Sequence, residues 1–164
     1  MKVRTLGDPV LRAKAKPVKE VGPVERMIIA AMFETMESHK GVGLAAPQVG
    51  ISEQIFVVDT GKDAFAVINP KILKGSGSDT IEEGCLSIPG VQVSVKRFKT
   101  IEVEFIDENN RKVRATLTGL AAKVFQHEND HLQGKLTIDY LSPADLKKVM
   151  QQLKDGTLSA ANVS

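Results

Sequence analysis

Apolar residues recur every three or four positions through Val24, Met27, Ile28, Ala31, Met32 and Met36, with Pro23 in a natural first-turn position. That interval predicts an amphipathic helix over about 23–39, ended by Gly41. From Gln54 onward the interval shortens to two, and β-type runs occupy 54–59, 65–69, 91–95, 100–105 and 112–117. Asn109 and Asn110, between the last two runs, tolerate the positive φ of a tight turn, so this pair reads as a hairpin and the sheet as antiparallel. Gly75-Ser76-Gly77-Ser78 reads as a further turn. Helical spacing returns over 119–132, with Thr118 as N-cap and Gly134 as the stop. Leu120, Val124, His127 and His131 share one stripe there, while Ala121, Phe125 and Leu132 fill much of the rest, so this helix should be central. Ser142-Pro143-Ala144-Asp145 starts a last helix that runs to about Lys154, and the tail after Gly156 is small and polar.

The elements add up to an α+β fold: antiparallel sheets packed around a central helix, plus an N-terminal and a C-terminal helix. At 164 residues, 42% of them hydrophobic and 26% charged, the chain suits one domain spanning 1–164. A net charge of +2, with basic and acidic residues interspersed, argues against nucleic-acid readout. No apolar run is long enough to span a bilayer and the N-terminus lacks a secretory pattern, so a cytoplasmic location is expected. The single cysteine, Cys85, excludes an intramolecular disulfide and fits a reducing compartment.

Chemistry concentrates in the central helix, at Gln126-His127-Glu128-Asn129-Asp130-His131. Residues four apart share a helical face, so His127 and His131 can bind one cation while Glu128 stands beside its open position as general base. A third ligand is required. Downstream, only Asp139 and Asp145 are of a suitable type, whereas upstream Cys85 follows a glycine that lets the backbone approach another element, and it is the better candidate. Gly41-Val42-Gly43-Leu44-Ala45-Ala46-Pro47-Gln48 satisfies a loose dinucleotide fingerprint, but it follows a helix instead of a strand and leaves no room for a crossover helix. Its glycines read as a helix stop and turn. The Gln48 amide, beside a metal cleft, could donate to a developing oxyanion.

Those three segments, 41–48, Glu83-Gly84-Cys85-Leu86-Ser87 and 126–131, resemble the signature motifs of the peptide deformylases in the right order. Gly7-Asp8-Pro9-Val10-Leu11-Arg12 and Asp139-Tyr140-Leu141-Ser142-Pro143 are also similar to bacterial members, so the resemblance covers nearly the whole chain. It implies that Cys85, His127 and His131 hold one divalent ion, Fe2+ or Zn2+, that Glu128 is the general acid and base, and that Gln48 and the Leu86 amide stabilise the oxyanion. The implied substrates are N-formylmethionyl peptides, which lose formate. Val42 and Gly43 would lie along the peptide as an added strand, and Val42, Leu120 and Val124 would line the methionine pocket. Asp130 would orient a ligand or an arginine.

The resemblance has one departure: 90–95 lacks an arginine that reaches the peptide in some members, which leaves preferences beyond methionine open. In some deformylases the C-terminal helix docks on the ribosome. Lys147, Lys148 and Lys154 are compatible with that here, although a packed terminal helix is the simpler reading of Leu146, Val149, Met150 and Leu153. The residues alone also admit a protease that uses the same helix, a thiol hydrolase built on Cys85, or a closed structural metal site.

Overall fold

The computed structural model describes residues 1–156, built on three helices, α1 (Pro23–Ser38), α2 (Gly119–Leu132) and α3 (Pro143–Lys154), and seven strands. The strands are β1 (Gly43–Ala45), β2 (Ile55–Asp59), β3 (Ala64–Ser76), β4 (Asp79–Cys85), β5 (Ile88–Arg97), β6 (Thr100–Ile106) and β7 (Lys112–Thr118). All pairings between them are antiparallel: β1-β2-β3-β6-β7 form one sheet, and β4 and β5 a separate hairpin. The expected α+β architecture around a central helix is present.

Strand β2 explains how the layers stack. Ile55, Phe56, Val57 and Val58 are all fully buried, a run without alternation because both faces of the strand are covered. Ile55 and Val57 face Ile29, Met32 and Met36 of α1, while Phe56 and Val58 face Ala122, Val124 and Phe125 of α2. Phe56 and Phe125 meet edge to face at 4.9 Å, which fixes α2 on the sheet two residues before His127. A third apolar cluster joins Val91, Val93 and Val95 of β5 to Leu136 and Ile138, and Leu146, Val149 and Leu153 of α3 pack on it. Met150 stays exposed on the same helix.

Several boundaries differ from the sequence expectation. Helix α1 ends at Ser38, and the left-handed residue after it is Lys40, with φ 55, instead of Gly41. Thr118 holds the N-cap position of α2, yet its side chain makes no capping bond. The turn expected at 75–78 begins two residues inside β3, which runs through Gly75 and Ser76 because both pair with β6. Strands β1 and β4 carry no run of alternating apolar residues, so the apolar pattern does not predict them. The 107–110 hairpin has Asn110 at φ 61, and Asp107 Oδ1 accepts from the Asn109 and Arg111 amides. Ser142 caps α3 by accepting from the Asp145 amide at 3.2 Å. The tail after Gly156 lies outside the described residues.

Candidate active site

Helix α2 presents His127 and His131 one turn apart, and the β4-β5 hairpin brings Cys85 to them from the other side. A register shift between Glu83 and Cys85 turns the chain so that the sulfur faces the helix. His131 Nε2 lies 3.2 Å from His127 Nε2 and 3.4 Å from Cys85 Sγ. A tetrahedral ion with ordinary bonds to nitrogen and sulfur has edges of about 3.3 Å between nitrogens and about 3.6 Å from nitrogen to sulfur. The three atoms therefore fit one divalent ion, and they form the group of three potential ligands found among the described residues.

Glu128 stands next to this group with its Oε2 3.9 Å from His127 Nε2. Its Oε1 is buried and has no hydrogen-bond partner, a costly state unless something from the cleft is bound there. Burial raises the carboxyl to about 7, only partly offset by His127, so it can both accept and return a proton near neutral pH. Gly43 sets the position of this carboxylate. A Cβ there would lie 2.5 Å from Glu128 Oε2 and 2.7 Å from Val124 Cγ1. Neither Gly41 nor Gly43 has a positive φ, so both serve close approach, and the expected need for glycine torsions is corrected for this pair.

Gln48 is buried, and both ends of its amide are engaged. Oε1 accepts from the Ala45 amide at 2.9 Å, which directs Nε2 toward Ser87 Oγ at 3.1 Å and Cys85 Sγ at 3.6 Å. Leu86 follows Cys85 in the hairpin turn. Gln48, Cys85, Leu86, His127 and Glu128 open onto one cleft of about 490 Å³, which Val42, Gly43, Leu120 and Val124 also line, while His131 is buried behind it. Val42 and Leu120 are 44% and 49% exposed, respectively, large apolar side chains at the cleft surface, while Val124 is buried. The three expected ligands, the expected acid-base and oxyanion residues and the four expected pocket residues are thus brought together, whereas Asp139 and Asp145 lie outside the ligand group.

Sequence reasoning missed the layer behind the histidines. Glu83 Oε1 lies 2.8 Å from His127 Nδ1, and Arg97 grips the same carboxylate with Nη2 at 2.7 Å and Nε at 2.8 Å. Burial raises the Glu83 carboxyl, but Arg97 and His127 outweigh it and hold the group at about 2. Arg97 Nη1 donates to Asp130 Oδ2 at 2.7 Å, and the Tyr140 hydroxyl donates to the same oxygen at 2.7 Å. Asp130 therefore orients an arginine. Burial lowers the His131 ring, and His127 and Arg97 lower it further, which favours the neutral form a ligand needs. Burial lowers the His127 ring as well, but Glu128, Cys85 and Glu83 outweigh it and hold the ring well above its ordinary value, so His127 must release a proton when an ion binds.

The sequence model of the polypeptide deformylase family matches residues 1–147. The peptide deformylase of Thermotoga maritima is 47% identical over 155 residues, which cover 94% of each chain. The crystal structure of a peptide deformylase from Legionella pneumophila superposes with a TM-score of 0.90 at 38% identity, covering 95% of this chain and 94% of its own. That of Synechococcus elongatus, in complex with actinonin, has a TM-score of 0.88 at 39% identity and covers 100% of this chain and 91% of its own. On its three motifs, its fold and its match along nearly its whole length, the chain belongs to the peptide deformylase family.

Proposed function

We propose that Cys85, His127 and His131 hold one divalent ion, Fe2+ or Zn2+, and that Glu128, Gln48 and the Leu86 amide perform the family's reaction beside it. That reaction is removal of the N-formyl group from the N-terminal formylmethionine of newly made polypeptides, with release of formate. The observation that carries the site assignment is the convergence of one sulfur and two imidazole nitrogens next to a buried carboxylate oxygen without a partner. The donor set suits either iron or zinc.

Bound there, such an ion supplies Lewis acidity and lowers the pKa of water at its open position. Glu128 takes the proton of the attacking water and later delivers it to the leaving amine nitrogen, so one carboxylate serves twice. Charge builds on the formyl oxygen, which Gln48 Nε2 and the Leu86 N–H are suited to receive. Glu83 holds the His127 ring in orientation through Nδ1, which leaves Nε2 for the ion. Val42, Gly43, Leu120 and Val124 form the methionine side of the cleft, with the peptide backbone adding beside Val42 and Gly43.

On this reading 1–164 is one catalytic domain working in the cytoplasm. Among the described residues no helix is long and apolar enough to cross a membrane. Docking of α3 on the ribosome through Lys147, Lys148 and Lys154 is compatible with this placement, and co-sedimentation of a chain cut before 143 tests it.

The deciding experiment pairs metal analysis with a formate-release assay on formyl-Met peptides and their unformylated counterparts. Glu128→Ala should retain the ion and lose turnover. Cleavage of unformylated peptides at internal bonds would support a protease in its place.

A further inference from the structure

The cleft has a charged rim that the reaction does not use. Lys40 and His39 line it just after the last turn of α1. Gly41 N–H bonds to Met36 O at 2.9 Å and Lys40 N–H to Glu37 O at 3.0 Å, closing the helix with Lys40 in the left-handed region. Glycine is the usual residue in such a stop, because a side chain there carries a steric cost. Lys40 has no ion-pair partner among the described residues. Beside it, His39 Nδ1 lies 2.8 Å from Thr35 O and so carries the ring proton, which leaves Nε2 for other partners.

Of the other charged groups on the cleft, Glu128 is buried beside the histidines, Lys123 and Glu83 are ion-paired, and Glu82 is hydrogen-bonded only to a neutral hydroxyl. Lys123 Nζ lies 3.0 Å from Asp79 Oδ2, and Glu83 is gripped by Arg97. Glu82, on β4, accepts from Ser94 Oγ at 2.7 Å, and Gln92, stacked over Gly84, is neutral. Lys40 is the cation of the cleft with no carboxylate committed to it.

We propose that Lys40 is a specificity-determining residue that draws a carboxylate of the bound peptide to this rim. The carboxylate belongs to an acidic side chain downstream of the formylmethionine or to the free C-terminus of a short peptide. This rests on the cleft being the peptide site. A lysine at a helix C-terminus also complements the helix dipole, but that role alone would affect stability and leave selectivity unchanged.

The test compares kcat/KM for formyl-Met-Ala-Xaa amides, with Xaa as Glu, Gln or Lys, and for formyl-Met-Ala-Gln as free acid, on metal-loaded enzyme at low ionic strength. In Lys40→Gln and Lys40→Gly the ratio of the Glu to the Lys substrate should fall about two- to fivefold, the range for an exposed charge pair, and Lys40→Arg should restore it. High salt should shrink the wild-type ratio toward that of the variants. A fall confined to the ratio of free acid to amide would identify the terminal carboxylate as the group read. Unchanged ratios in both neutral variants, with the Gln amide still deformylated, would overturn the proposal and leave the peptide cleft standing. Failure of the wild-type enzyme on the Gln amide would instead sink the reading of the cleft, and this proposal with it.

Discussion

His127 Nδ1 meets Glu83 Oε1 at 2.8 Å, and through that one bond the imidazole is fastened to an arginine that is only 4% exposed. Arg97 is held by two carboxylates and a tyrosine hydroxyl, so its charge is compensated where it is buried. Glu83→Ala would leave that cation short of its bidentate partner, and the expected loss is about 3–5 kcal/mol of stability in urea unfolding. The same change frees the His127 ring, which should weaken ion binding about 10- to 100-fold in chelator competition. A wild-type unfolding midpoint in this variant would show the pair to be structurally idle.

Gln48 links two jobs in one amide, because the bond from the Ala45 N–H to Oε1 is what aims Nε2 at the Cys85 end of the cleft. If Nε2 stabilises the oxyanion, Gln48→Ala should lower kcat about 100- to 1,000-fold while the protein still binds its ion. Comparable turnover in the metal-loaded variant would remove Gln48 from the reaction.

The site was legible in the sequence where chemistry is local. His127, Glu128 and His131 sit within one helical turn, and their spacing alone gives a shared face. Glu83, Arg97 and Tyr140 come from three separate elements, and nothing in a single sequence states that they meet. One signal was available: Val91, Val93 and Val95 alternate inward along β5, and the same period carries Arg97 into the core, where a cation demands carboxylates. β1 escaped notice because three residues show no period, and β4 because Glu82, Glu83 and Gly84 lack the apolar alternation of a strand. Lys40 was hidden by Gly41, the residue that steric rules favour for the left-handed position.

Away from the cleft, Arg12 donates to both oxygens of Asp139 at 2.7 and 3.0 Å, tying the N-terminal segment to the chain just beyond α2. Burial raises the Asp139 carboxyl, but Arg12 and the Leu136 amide outweigh this and hold it below its ordinary value of 3.8. A carboxyl depressed on folding adds stability that is fully present above its unfolded pKa and is lost as pH falls through the lower folded value. Asp139→Asn should therefore be less stable than wild type at pH 7, by about 1 kcal/mol for so exposed a pair. The gap in urea midpoints should close as the pH drops below about 3.8, the ordinary Asp value. A gap that persists in acid would assign the loss to packing.

Gly43 tests whether the position of Glu128 matters separately from its presence. In Gly43→Ala the new methyl group would meet Glu128 Oε2 at 2.5 Å and Val124 Cγ1 at 2.7 Å, closer than packed atoms tolerate. Strand β1 is hydrogen-bonded to β2 from Gly43 through Ala45 and cannot easily retreat, so the carboxylate must move. Overpacking of this kind costs about 1–3 kcal/mol, to be read from the unfolding midpoint. Its distinctive effect is on rate: the ligand atoms are untouched, so ion content should hold, while kcat falls about 100-fold for a carboxylate displaced by roughly 1 Å. An alanine variant with wild-type kcat would mean that Glu128 works from more than one position, and that the glycine serves the peptide backbone alone.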